Sequence, residues 1–301
     1  MGSIEVNKKR MSAVIIADSI SPGGVRITTA EVKLWKPLVA EFNTHKVLSR
    51  NSASTRAIPA KRQISTVLED PYIPAFKYNQ SGMQPAELLT ERDMEKAVEE
   101  WLIARDNAVQ TVLNMGYCEN SGISPGVHKQ WCGRLLEPWL LTTILVTATD
   151  YQNFFNLRCN PLAQDEIRWA AENLKEAMDN SKPVERLIHT PYVNIPEEDF
   201  CEATCPEDLA MYMKISAGRC ATVSYDNLGE GINAEKDLAR CESLISCGHW
   251  SPLEHVAFID ESACDYRTYS GNFRHWQQFR KTYKGEAVYG NDDAQYDLQL
   301  R

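Results

Sequence analysis

The sequence predicts an α+β protein built as one domain over residues 1–301. Three observations carry this. Two β-rich stretches, AVIIAD (13–18) and VRITTAEVKL (25–34), follow one another near the N-terminus. Further on, long stretches carry apolar residues at helical spacing. The balance of 43% hydrophobic to 24% charged residues is that of an ordinary globular chain, long enough for a large core.

In chain order, AVIIAD is an entry strand closed by the turn SPGG. VRITTAEVKL alternates in part and is rich in β-branched residues, so a second strand follows. Pro37 sits where a helix begins. The spacing then predicts a helix with Leu38, Phe42, His45 and Ser49 on one stripe, and Glu41 one turn before His45. THKVLSRNSASTRAIP (44–59) reads as the end of that helix and the loop after it, stopped by Pro59. Residues 67–90 hold three prolines and a glycine and read as loop. From Glu91 to Met115 a helix is predicted, with Val98, Trp101, Leu102, Val109, Val112 and Leu113 as its apolar face. The apolar stretch 127–158 is read as two helical segments around TATD, and AQDEIRWAAENLKEAM (163–178) is a good helix former. Residues 181–207 are loop-like and acidic. ISAGRCATVSY (215–225) reads as a strand or the start of a helix, and its RCATVSY part is strand-like. NAEKDLARCESLISC (233–247) is helical, with Asn233 as N-cap. GHWSPLEHVAF (248–258) is a turn and a short element, and GNFRHWQQFRK (271–281) reads as a last helix. The domain divides into a strand–helix–loop at 25–66, a helical insertion at 67–126, a helical core at 127–180 and a segment at 208–283.

The net charge is -9 and the pI about 5.3, which argues against a nucleic-acid polymer as partner but not against a single nucleotide. No apolar run is long enough to span a bilayer, so no membrane is expected. MGSIEV lacks a signal pattern, and Val6 breaks the myristoylation pattern. Nine irregularly spaced cysteines, with Cys201 and Cys205 as the closest pair, read as free thiols in a reducing, cytoplasmic compartment.

Four stretches carry candidate chemistry. Residues 44–59 interleave His45, Lys46, Arg50 and Arg56 with hydroxyls, as an anion site would. Ser49 and Asn51, then Ser54 and Arg56, alternate and would share one side of an extended loop. A polar loop with capping serines explains the same residues. In NFFNLRCNPLAQDEIR (153–168), Arg158 follows an apolar run and needs an anionic or polar partner. A salt bridge to Asp165 or Glu166 is the competing explanation. GHWSPLEH clusters His249, Ser251, Glu254 and His255, but its histidine spacing is not that of a zinc site, so no metal is expected. The fourth stretch is RCATVSY (219–225). GEGIN (229–233) lacks the features of a phosphate loop, and nothing near Cys205 would activate its thiol.

Together these stretches resemble the flavin-dependent thymidylate synthase (ThyX-like) family. The family signature is close to RHRxxSxNExSxR, and here it reads THKVLSRNSASTR. GHWSPLEH resembles the family's GHxSPFEH, CATVSY its AARVSY, and NFFNLRCNPLAQDEIR its NFLxLRxxxxAQxEIR. The order is permuted: the last two family landmarks before the signature lie after it here, at 219–255 against 44–56. WQQFRK (276–281) also resembles the run that leads into the family signature, making Gln277 and Arg280 a second candidate pair. The resemblance implies a thymidylate synthase-complementing fold, an antiparallel-rich sheet flanked by helices, circularly permuted.

What the resemblance implies about function is reductive methylation of dUMP to dTMP, with FAD as cofactor and NADPH and methylenetetrahydrofolate as co-substrates. Glu41, Thr44, Ser52, Ala53, Ser54, Thr55, Arg56, Arg134 and Arg158 would meet the pyrimidine deoxynucleotide monophosphate. Ser54, Arg56 and Arg134 would take its phosphate, with neighbouring backbone N–H groups. Arg158, the catalytic candidate, would face its ring. His45, Lys46, Ser52, Asn153, His249 and Ser251 would contact the flavin. The family's sites form between chains of a homotetramer. The sequence departs from the family at Thr44, Lys46, Ser52 and Glu41, and TAT (147–149) stands where the family has a flavin-contacting NxR. These departures bear on FAD affinity and base choice. Two alternatives follow from them: methylation or hydroxymethylation of dCMP, with Glu41 accepting from the cytosine amine, and a catalytically silent nucleotide-binding homologue.

Overall fold

The two strand-like stretches pair as a hairpin. In this computed structural model, which describes residues 2–118, 121–195, 206–225, 231–259 and 268–283, β1 (Ala13–Ile20) runs antiparallel to β2 (Arg26–Trp35). The SPGG turn between them puts Gly24 at φ 78°, a conformation that glycine adopts without strain. A short helix, α1 (Gly2–Arg10), precedes β1. Cys201, Cys205 and the first two residues of GEGIN lie outside the described residues.

β2 continues into a 3-10 turn at Lys36–Leu38 and a single helical turn, α2 (Val39–Phe42). The expected longer helix stops there. The Thr44 hydroxyl donates to the Glu41 carbonyl at 2.7 Å, and the N–H groups of Asn43, Thr44 and His45 turn back onto the last carbonyls. Ser49 therefore does not lie on a helical stripe but opens a strand, β3 (Ser49–Ser52). The helix α3 (Ala60–Glu69) follows, with Pro59 before its first residue rather than ending an element.

After loop 70–90, α4 (Glu91–Val112) matches the predicted helix, capped by Thr90 accepting from the Asp93 N–H. The stretch 127–158 is not two helices alone. α5 (Lys129–Leu136) and α6 (Gln152–Arg158) flank a strand, β4 (Leu141–Ala148). α7 (Asp165–Asn180) matches its prediction. The loop-like residues after it hold two short strands, β5 (Val184–Glu185) and β6 (Ile188–His189). α8 (Pro206–Cys220) and a 3-10 turn at Ala221–Tyr225 follow, so CATVSY is helical, not a strand. α9 (Ala234–Ser246) carries the predicted Asn233 cap, which accepts from the Lys236 N–H at 3.0 Å. GHWSPLEH turns at Gly248 (φ 69°) into a 3-10 turn, Ser251–His255, and then β7 (Ala257–Phe258). The expected last helix is instead β8 (Tyr269–Ser270), β9 (Phe273–Arg274), β10 (Gln277–Gln278) and a 3-10 turn to Thr282.

The main sheet has the order β3-β4-β2-β1-β5, antiparallel except where β5 joins β1. Both faces are covered. Even-numbered residues of β2 and β4 (Ala30, Val32, Leu34, Ile144, Val146, Ala148) pack with Ile167, Ala170, Ala171 and Leu174 of α7. Each buried Val, Leu or Ile side chain here contributes about 1.5–3 kcal/mol. Odd-numbered Ile27, Thr29, Leu145 and Thr147 face a second, smaller sheet, β10-β7-β6, and the turn after α8. The mixed, antiparallel-rich architecture is α+β, as predicted.

α8 and α9 meet backbone to backbone. A Cβ on Gly218 would fall inside the Asp237 carbonyl, and Arg240 Nη1 already donates to the Gly218 carbonyl at 3.2 Å. Gly218→Ala is expected to destabilise the protein by about 3 kcal/mol through overpacking. An unchanged urea midpoint in that variant would contradict this contact.

Candidate functional site

The strand β3 and its two ends organise the predicted site. At the N-terminal end, the turn after α2 holds His45 buried, its ring edge-on to Phe154 with centroids 4.9 Å apart. Arg158, in the last turn of α6, donates from Nε to His45 Nε2 at 2.8 Å. Its Nη2 lies 3.4 Å from both the Glu41 carbonyl and Thr44 Oγ1, distances too long for strong bonds. Arg158 is thus fixed through Nε while its terminal nitrogens remain available. It does not pair with Asp165 or Glu166. Asp165 pairs with Lys77 and Arg168, and Glu166 accepts from Tyr72.

Because His45 accepts at Nε2, its proton sits on Nδ1, which has no acceptor among the described residues. Burial, then the charges of Arg158 and Arg50, push its pKa down to about 4, so the ring is neutral near pH 7. Arg50 holds the turn closed, donating to Asn43 Oδ1 and to the carbonyls of His45 and Leu48. Glu41, Thr44, Lys46 and Asn153 are exposed around this pair.

Along β3, Ser49 and Asn51 turn toward the GHWSPLEH segment and the C-terminal strands. Asn51 Nδ2 donates to Ser251 Oγ at 3.1 Å, and His255 Nε2 lies 3.2 Å from Asn51 Oδ1. Gln278 Nε2 donates to Ser49 Oγ at 3.1 Å. The residue of WQQFRK that reaches the signature is therefore Gln278, not Gln277, whose backbone pairs with Phe258. Arg280 pairs with Glu254. Ser251 and His249 are exposed.

At the C-terminal end the predicted phosphate loop is partly committed to the fold. The Ala53 N–H donates to the Thr143 carbonyl, the Ser54 N–H to the Ser224 carbonyl at 3.0 Å, and the Ser54 carbonyl accepts from Ala57. The expected cradle of N–H groups is reduced to those of Thr55 and Arg56. Thr55 Oγ1 donates to Glu137 Oε1 at 2.8 Å, and Arg134 reaches the same oxygen at 3.7 Å. Arg134 therefore does stand beside residues 54–56. Arg56 is exposed and makes no hydrogen bond or ion pair among the described residues. Ser52, half-buried, ends β3 opposite Ile144.

Arg158 contacts residues before β3 and Arg134 stands by residues after it, and no hydrogen bond or ion pair among the described residues joins the two clusters. Sequence reasoning missed Lys36, which ties the Ala53 carbonyl, and Glu137, Asn272 and Gln278. Only Gln278 had a signal, its neighbour in WQQFRK. Among the described residues no group of three His, Cys, Asp or Glu side chains is placed to hold a metal, and no helix is long and apolar enough to cross a membrane.

No protein-family model matches the chain, and no curated protein matches it.

Proposed function

We propose that this protein is a flavin-dependent thymidylate synthase of circularly permuted, ThyX-like fold, which reductively methylates dUMP to dTMP with methylenetetrahydrofolate and NADPH. One observation carries this reading. The signature stretch touches each of the other three resembling stretches: His45 meets Arg158, Asn51 meets Ser251 and His255, and Ser54 meets Ser224. Segments far apart in sequence converge in the combination that the resemblance requires.

The donor set fits FAD. His45 Nδ1–H, the Ser251 hydroxyl and the Lys46 ammonium suit an acceptor-rich, phosphate-bearing cofactor, and Ser52, Asn153 and His249 would complete its contacts. FAD, when bound, supplies the hydride drawn from NADPH. The chain's own part is orientation and charge. Arg158, held through Nε, presents its planar Nη edge to a pyrimidine oxygen or nitrogen where negative charge develops. Arg56 and Arg134, with the N–H groups of Thr55 and Arg56, would hold the nucleotide phosphate. The separation of these clusters supports a composite site between copies, a homotetramer by the resemblance.

A second reading changes the base. Glu41 is exposed, with its backbone carbonyl 3.4 Å from Arg158 Nη2, and its carboxylate is an acceptor for the cytosine amine, which favours dCMP and a methyl or hydroxymethyl product. Mass spectrometry of reactions given dUMP or dCMP, with FAD and NADPH omitted in turn, separates the two. dTMP formed only with both present is expected. Turnover of dCMP alone would select the second reading, and no product from either base would leave a silent nucleotide binder.

A further inference from the structure

A line of buried polar side chains crosses the interface between the two sheets and ends at Asn51 and Ser251. Ser19 Oγ lies 2.9 Å from His189 Nδ1, and His189 Nε2 lies 2.7 Å from Thr29 Oγ1. Thr29 Oγ1 lies 2.6 Å from Thr147 Oγ1, its direct neighbour across β2 and β4. Thr147 Oγ1 lies 2.8 Å from His255 Nδ1, and His255 Nε2 3.2 Å from Asn51 Oδ1. Asn51 Nδ2 then donates to Ser251 at 3.1 Å. Thr29, Thr147, His189 and His255 are fully buried, Ser19 nearly so, and Ser251 is exposed.

Each link has room for one proton. A hydroxyl or a neutral imidazole has one proton to give, so the direction of one link fixes the next. The line therefore has two complete polarities. In the first, donation runs from Ser19 to His189, Thr29, Thr147, His255, Asn51 and Ser251. Both histidines then carry their proton on Nε2, and the Ser251 proton points outward. In the second, the Asn51 amide turns over so that Nδ2 donates to His255 and Oδ1 accepts from Ser251, every other bond reverses, and both histidines carry their proton on Nδ1. A mixed state leaves either a buried link without a proton or a buried hydroxyl proton without an acceptor, which costs about 1–3 kcal/mol.

We propose that these side chains act as one polarised unit, in which His189 and His255 are positioning residues that share a tautomer and set Ser251 as the hydrogen-bond donor to an acceptor oxygen of the bound ligand. Taking that ligand as FAD rests on the function proposed above. The shared tautomer does not.

The test uses the full chain with 15N-labelled histidine. Long-range 1H–15N correlation at pH 7 identifies the tautomer of each ring, without ligand and with FAD added. Both histidines are expected to be neutral with the same tautomer in the free protein, and both Nε2-protonated with FAD. Opposite tautomers overturn the proposal with no variant needed. Thr147→Val removes the central hydroxyl. It is expected to uncouple the two rings and weaken FAD binding about tenfold, the loss of one oriented hydrogen bond. Unaltered FAD affinity in Thr147→Val overturns the positioning role. If FAD fails to bind the unmodified protein, the flavin reading falls, while the tautomers of the free protein still decide the relay.

Discussion

Arg158→Ala is expected to lower turnover of dUMP by about 10²–10³ while the fold persists. The size follows from one oriented, charge-assisted contact at developing negative charge, about 3–4 kcal/mol. The persistence follows from where Arg158 sits. It is half-buried at the end of a seven-residue helix, and its strongest bond is to His45. Losing that bond costs about 1 kcal/mol of stability. Arg158→Lys keeps the charge but loses the planar fork, so it should recover little. His45 supplies an internal control. The Arg158 charge is one cause of its depressed pKa, second to burial, so the alanine variant should raise that pKa without restoring the ordinary value. Steady-state rates beside thermal midpoints and His45 titration would separate catalysis from structure. Normal turnover in a folded Arg158→Ala protein would end the assignment.

The sequence made some of this visible and hid the rest for physical reasons. β1, β2, α4, α7 and α9 were legible because each presents a periodic face or a recognisable cap. β4 was not. LTTILVTA is an interior strand of a sheet covered on both faces, so nearly every residue is apolar or buried and no alternation survives. GNFRHWQQFRK forms no α-helix in the structure because its residues before the final 3-10 turn spread over two sheets, which local pattern cannot reveal. At the site, His45, Asn51, Arg158 and Ser251 were legible through their neighbours. Their contacts were not, since His45 and Arg158 are 113 residues apart. His189 carried no signal at all. It is one histidine within the acidic, loop-like stretch 181–207, and its role depends on Thr29 and Thr147 becoming cross-strand neighbours.

Acid is expected to unfold this protein well above the carboxylate range. His189 and His255 are fully buried, and burial pushes both down to about 3. Unfolded, each returns to about 6.5. Between these values the unfolded chain binds a proton that the folded chain refuses. The stabilisation is therefore complete above pH 6.5, is lost as pH falls below it, and the loss levels off near pH 3. From pH 7 to pH 5 each histidine removes about 2 kcal/mol, about 4 together, a large share of a typical 5–15 kcal/mol. His45 adds to the loss down to about pH 4. The proposed polarised line adds to burial in resisting protonation. A doubly protonated imidazole donates at both nitrogens, so it reverses one neighbouring bond and leaves a buried hydroxyl proton without an acceptor. Urea unfolding at pH 7, 6 and 5 measures the slope. His189→Gln should reduce it by about 1.4 kcal/mol per pH unit, one proton's worth. A slope unchanged by that substitution would mean that His189 titrates freely and that the buried line does not hold it neutral.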